Sequence, residues 1–324
     1  MKKKLLGFFV SVFGLYIAFG KLSFNDLFDV LRSVNWPLIS LSMFIMILSV
    51  LVRSFRWKIL LKPINNFEIN NLFSSTMIGY FGNSVLPFKL GEYLRANALN
   101  KIYNSISVST FFATIAIEKF LDLLGAFFLI IILIITNDIP IWFRNSFIVL
   151  ILIMSFLFIF ILFFGNIKKN FFVKSFSSFK KNNYLIKINL MINNFIDGLS
   201  TIRKLHQPFS VMFYTFLLWF MYWFSVWFCI IATDINISFL EAGIVLFATG
   251  MVIAIPSAPG YIGTFHATAV LILTDFFSIS IDKSQAFAIL NHFVGFFPMV
   301  IIGGVFFIKS SMSLSLKNTS DSKS

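Results

Sequence analysis

Lys89, Glu92 and Arg95 recur at every third position of the stretch GYFGNSVLPFKLGEYLRANAL, residues 79–99. On a helix starting near Leu90 that spacing collects them on one side. A guanidinium offers a planar fork of donors suited to phosphate, and an ammonium adds a point charge. The trio therefore has the makings of an anion site, with Glu92 placed to orient Arg95. Lysines and arginines that merely anchor a helix at the membrane interface would use the same residues. Asn83 precedes the trio, while Pro87 and Gly91 mark a break in which the chain turns.

Two further constellations carry chemistry. In ATIAIEKFLDLLGAF, residues 113–127, Glu118 and Asp122 are four apart and share one helix face, with Lys119 beside them. Two such carboxylates repel unless one is protonated or a cation lies between them, and Arg95, Lys89 and Lys119 are the candidate cations. A carboxylate pair also suits glycoside hydrolysis, but nothing else in the chain supports it. In IAIPSAPGYIGTFHATAV, residues 253–270, Pro256 and Pro259 end one half-helix, and Gly260 and Gly263 allow a tight turn. A helix beginning near Gly263 would direct its free N–H groups at an anion. His266 falls in its first turn, and His292 lies near the end of the chain with Asn291. Either histidine can bind a headgroup, although a packed interhelical hydrogen bond is the commoner use. The three histidines and Cys229 are scattered without metal-ligand spacing, so neither metal nor cofactor is expected and no intrachain disulfide can form.

The elements that must position these residues are hydrocarbon-like. Hydrophobic residues make up 58% of the chain and 46 are Phe, whereas 12% are charged, against about 25% in soluble domains. Apolar runs at 5–20, 37–52, 71–86, 107–136, 140–165, 207–232, 243–256, 262–278 and 286–308 identify a polytopic membrane protein. The formal charge of +13 then reflects basic segments between apolar runs, which face anionic lipid; no nucleic-acid partner is implied. Residues 53–62 (with Arg53, Arg56, Lys58 and Lys62) and 166–206 are read as cytoplasmic, as are both termini, which places the chain in the cell's inner membrane.

Nine full crossings would put the termini on opposite sides. The run 71–86 is short and flanked by basic residues on both sides, and the pair 243–256 and 262–278 is split by prolines and glycines. Both are read as re-entrant, the first from the cytoplasm and the second from outside. The fold class is an all-α polytopic membrane protein of six to eight transmembrane helices, including two re-entrant or broken-helix elements. One integral membrane domain spans 1–309, with halves of about 1–136 and 140–309. Each half runs span, span, broken element, span, which suggests an inverted repeat of the kind found in transporters. PFKLGEYLRANAL and PGYIGTFHATAVL share Pro-x-x-x-Gly and a following aromatic residue: Pro87, Gly91 and Tyr93 match Pro259, Gly263 and Phe265. Residues 23–36 form an outer-surface amphipathic helix, 166–206 a basic amphipathic cytoplasmic loop, and 310–324 a disordered tail.

These motifs together resemble those of the lysylphosphatidylglycerol synthase transmembrane-region family, also described as flippase-like integral membrane proteins. Gly79, Asn83, Leu86, Pro87, Lys89, Gly91, Glu92 and Arg95 match its first motif. Glu118, Lys119 and Asp122 match its second, with Lys119 where the family usually has Arg. Pro259, Gly260, Gly263 and His266 match the third, where many members carry Glu at the last position, and His292 and Pro298 match a closing His and Pro. The bifunctional relatives carry a soluble aminoacyl-transferase domain after the membrane region. Here the chain stops at Ser324, so the resemblance implies a stand-alone, non-enzymatic member.

The expectation is translocation of an anionic phospholipid or a polyprenyl-phosphate-linked headgroup. Asn83, Lys89, Glu92, Arg95, Glu118, Lys119, Asp122, Gly260, Gly263, His266 and His292 would contact the substrate. Pro87, Gly91, Pro256 and Pro259 would act as hinges. Envelope biosynthesis enzymes are possible partners, and the oligomeric state is open. The competing reading is a membrane-embedded glycosyl- or lipid-transferase, or a non-transporting assembly partner.

Overall fold

Four helices repeat along the chain in the order long, short, short, long. In the computed structural model, the structure describes residues 13–20 except 14, 24–86, 89–136, 207–253 and 258–310, with isolated positions between 145 and 201. The beginning of the run 5–20, the run 140–165, the loop 166–206 and the tail after Ser310 lie outside the described residues, apart from those positions. So do the proposed hinges Pro87 and Pro256.

Helix α1 (Phe24–Ser33) leads into α2 (Trp36–Leu61), followed by the short α3 (Ile69–Val85) and α4 (Gly91–Ile102) and the long α5 (Val108–Thr136). The second set is α6 (Pro208–Ala232), α7 (Phe239–Ile253), α8 (Thr264–Leu271) and α9 (Ile281–Lys309). A single wide turn, Ile272–Phe276, extends α8. Helices α2, α6 and α9 are long and apolar enough to cross a membrane. At 26 residues, α2 reaches about 39 Å, more than a hydrocarbon core of about 30 Å. Its start is fixed by Asn35, whose side chain accepts the Leu38 N–H, and by Pro37 in the first turn. Phe44, Phe213, Ile301 and Val305 stand exposed on the outside of these helices, where lipid is the solvent. The chain is an all-α membrane protein.

α2 does not end where its basic residues begin. The sequence reading placed Arg53 and Arg56 in a cytoplasmic segment after a span ending at 52. The helix instead continues to Leu61, and both guanidiniums are buried. A run of arginines does not mark an interface here, because these cations meet carboxylates inside the bundle.

The two sets pack as an inverted pair. α2 and α6 run antiparallel: the Asn35 N–H donates to the Ala232 carbonyl at one end. Near the other end Arg56 Nη1 donates to Thr215 Oγ1. Between them Ser42 and Ser225 hydroxyls meet at 2.7 Å, small residues that let the backbones approach. Each pair of neighbours in the first set has its counterpart in the second, α2–α3 with α6–α7, α4–α5 with α8–α9, and α3–α9 with α7–α5. Because α2 and α6 are antiparallel, the hairpin α3–α4 and the hairpin α7–α8 are based at opposite ends of the bundle.

Each base is tied by polar contacts. At the first, the Tyr103 hydroxyl accepts from the Glu68 N–H and from Asn71 Nδ2. At the second, Lys283 Nζ donates to the Asp234 carboxylate at 2.7 Å. That hydrogen bond and the lysine charge hold the exposed Asp234 carboxyl below the ordinary carboxylate range. The helix α1 turns Leu27 inward and leaves Phe28 exposed, with the adjoining Val34 also buried.

Candidate functional site

Arginines from two helices converge on one face of α5. Arg53 Nη1 donates to Asp122 Oδ2 at 2.9 Å and Arg56 Nη2 to Asp122 Oδ1 at 2.7 Å, so Asp122 bridges two guanidiniums one helical turn apart on α2. Glu118, fully buried, lies 2.7 Å from Arg95 Nη1 and 3.5 Å from Arg56 Nη2. Tyr222 and Thr215 on α6 accept from Arg53 and Arg56. The Arg95 guanidinium carbon lies over the Trp57 ring, 3.8 Å from its centre. Three arginines against two carboxylates leave this buried cluster with one positive charge in excess.

The site takes its shape from an unusually close helix pair. Gly91, the first residue of α4, packs directly on the Gly79 carbonyl and on Asn83 of α3, and no side chain fits there. The Gly91 N–H donates to Asn83 Oδ1 at 3.0 Å. A methyl at Gly79 would meet the Arg95 Cβ at 2.9 Å. Glycine contact thus sets the depth at which Arg95 faces α5.

The sequence-derived residues fall into three groups. Arg95, Glu118 and Asp122 are brought together in the buried cluster. Glu92 does not orient Arg95 as expected; it pairs with Lys119 at 2.7 Å and receives a long hydrogen bond from Asn83 Nδ2 at 3.4 Å. One turn of α4 separates Glu92 from Arg95, and α5 offers each a partner of opposite charge. Lys89 does not share their helix face either, because it precedes α4 in a left-handed conformation, φ 55°. Its ammonium lies 5.9 Å from the ring centre of Tyr261, which is also left-handed at φ 60°. The tips of the two hairpins therefore meet, each through a residue whose backbone is strained.

The third group is the second tip. Pro259 opens a short turn, Gly260 has φ 72°, and the Phe296 ring covers it so closely that a β-carbon would collide. His292 Nε2–H donates to the Gly260 carbonyl at 2.8 Å, which ties the tip to the middle of α9. Gly263, at φ 93°, directs its N–H at His266 Nδ1, 3.5 Å away. The two imidazoles lie 4.7 Å apart, tilted by 44°, with the Phe19 ring 5.5 Å from His266. The His292 bond is thus the interhelical kind, and the Gly263 N–H, expected to face an anion, is here directed at His266. Among the described residues, no three His, Cys, Asp or Glu side chains are grouped to hold a metal ion.

Sequence reasoning missed Arg53 and Arg56. The available signal was the carboxylate pair itself: Glu118 and Asp122 needed cations, and two arginines at i and i+3 in a helix long enough to span could supply them.

The profile of the family described as the lysylphosphatidylglycerol synthase TM region matches residues 4–303. The chain belongs to this family. A relative from Pyrococcus horikoshii, UPF0104 membrane protein PH1989, is 25% identical over 287 residues, which cover 81% of this chain and 84% of that protein. No solved structure matches. The family's transmembrane region and its motifs, matched above in Gly79 to Arg95, Glu118 to Asp122 and Pro259 to His266, thus coincide with the first hairpin, the α5 carboxylates and the second hairpin tip.

Proposed function

We propose that this protein translocates, or helps to translocate, the headgroup of an anionic lipid across the cell membrane, either an anionic phospholipid or a polyprenyl-phosphate-linked carrier. The carrying observation is the buried arginine cluster with one uncompensated positive charge. Placing a charge inside a membrane costs about 2.5–3.5 kcal/mol on insertion scales, so five of them in one cluster are hard to attribute to stability alone. A negatively charged headgroup would neutralise the excess. The two hairpins support the same reading, since they come from opposite ends and touch at Lys89 and Tyr261, where small movements would open one side or the other. In this reading both termini are cytoplasmic, the first hairpin opens to the cytoplasm, and the protein acts without catalysis.

The test is reconstitution into liposomes with a fluorescent phosphatidylglycerol whose outer-leaflet pool is bleached by dithionite. Wild type should expose the inner pool to bleaching, and Arg95→Ala and Glu118→Gln should each slow that exposure at least about tenfold. A wild-type rate equal to that of protein-free liposomes overturns the reading.

A further inference from the structure

Of the three buried guanidiniums, Arg95 alone has an entire binding edge unused. Arg53 donates through Nη1 to Asp122 and through Nη2 to Tyr222, and Arg56 through Nη1 to Thr215 and Nη2 to Asp122, so each leaves only Nε without a partner. In Arg95 both Nε and Nη2 are buried and unpartnered. These two nitrogens direct their hydrogens in parallel, forming the side-on fork that grips two oxygens of one anion. The remaining nitrogen, Nη1, is against Glu118, and the guanidinium carbon lies over the Trp57 ring. Arg95 itself is 2% exposed. A buried donor without an acceptor forfeits its hydration, so a fork left empty in this way is built for something that arrives.

We propose that the Arg95 fork is the headgroup receptor and that the cluster around it is matched to a single negative charge, the charge of a phosphodiester. This rests on the translocation reading above and narrows its substrate. Arg53 and Arg56 of α2, Arg95 of α4, and Glu118 and Asp122 of α5 sum to one positive charge. Lys119 and Glu92 cancel each other, Lys89 near them is exposed and lies outside the buried cluster, and among the described residues Tyr80 and Tyr222 are the remaining titratable groups facing it. A phosphodiester spreads one negative charge over two free oxygens, which fits both the fork and the count. A phosphomonoester or diphosphate brings a second charge that no buried cation among the described residues balances, and it must remain uncompensated at low dielectric or take up a proton. Glu118 is the group that yields, because its carboxylate touches Arg95 at 2.7 Å without a well-formed hydrogen bond to any donor.

The experiment is calorimetric titration of the intact protein in detergent with dihexanoyl-phosphatidylglycerol, a diester, and dihexanoyl-phosphatidic acid, a monoester. At pH 8 the diester should bind at least about tenfold more tightly. At pH 5, below the monoester's second pKa of about 6, the difference should shrink to within about threefold. Arg95→Lys keeps the charge and removes the fork, and should weaken diester binding at least about tenfold. The deacylated headgroup, glycerophosphoglycerol, should bind more weakly than the lipid. Equal binding of diester and monoester at pH 8 overturns the single-charge match while leaving translocation standing. Unchanged binding by a folded Arg95→Lys overturns the fork. Octanoate, singly charged and two-oxygened, overturns the phosphodiester assignment if it binds equally well, and equal binding by the deacylated headgroup overturns the lipid source. Failure of both lipids to bind overturns the translocation reading with it.

Discussion

Asp122 and Glu118 are the same chemistry one turn apart, yet they hold different kinds of contact. Asp122 accepts two aligned hydrogen bonds, from Arg53 and Arg56, and its backbone carbonyl accepts from Trp219 Nε1. Glu118 is close to two cations and aligned with neither. Asp122→Asn should therefore cost about 3 kcal/mol of stability, as expected for one partner of a buried ion pair, and Glu118→Gln about half of that or less. Thermal unfolding in detergent measures both, and equal losses would remove the distinction between a clamp and a yielding partner. At this scale the sequence supplied the carboxylates and Arg95 with their spacing. It did not supply the pairing, because Arg53 and Arg56 lie more than sixty positions before Glu118, too far for any local pattern to connect.

Helical elements here are placed by glycine as much as by hydrophobic residues. Gly91 lies against the Gly79 carbonyl, whereas Gly250 in α7 has nothing near its missing β-carbon. Gly91→Ala should spread α3 from α4, lowering stability by about 1–3 kcal/mol through overpacking. Gly250→Ala should be neutral or stabilising by up to about 1 kcal/mol, since alanine favours a helix. Comparing the two melting temperatures checks this, and parallel losses would contradict it. The breaks at Leu86 and at Pro259 to Gly263 could be read from nearby proline and glycine because those residues act locally. The length of α2 could not, because an arginine inside a membrane helix looks the same in sequence whether it faces headgroups or a buried acid.

Inversion of the two sets is a property of the whole molecule. The α2–α3 connection and the α6–α7 connection belong to opposite ends, so cysteines introduced at the exposed Asn65 and Asn236 should be labelled by an impermeant maleimide from opposite sides of the membrane. The native Cys229 is buried and leaves a quiet background. Labelling of both from one side would overturn the inverted arrangement. In sequence the repeat shows in the order of spans and broken elements, but residue by residue only as Pro87, Gly91 and Tyr93 against Pro259, Gly263 and Phe265, because lipid-facing positions accept almost any apolar side chain and retain no register.

The sequence by itself determined the solvent, the helical class, the sites of the two breaks and the types of residue that could carry charge chemistry. Each of these follows from local physical chemistry: hydropathy over a span, proline and glycine dihedrals, and the cost of a charge in hydrocarbon. Only the tertiary structure decided which cations answer Glu118 and Asp122, that Glu92 belongs to Lys119, and that Lys89 meets Tyr261 across the two tips. Those outcomes depend on the register and crossing of helices far apart in the chain. In this protein, that crossing is set by glycine contacts and the antiparallel seating of α2 on α6.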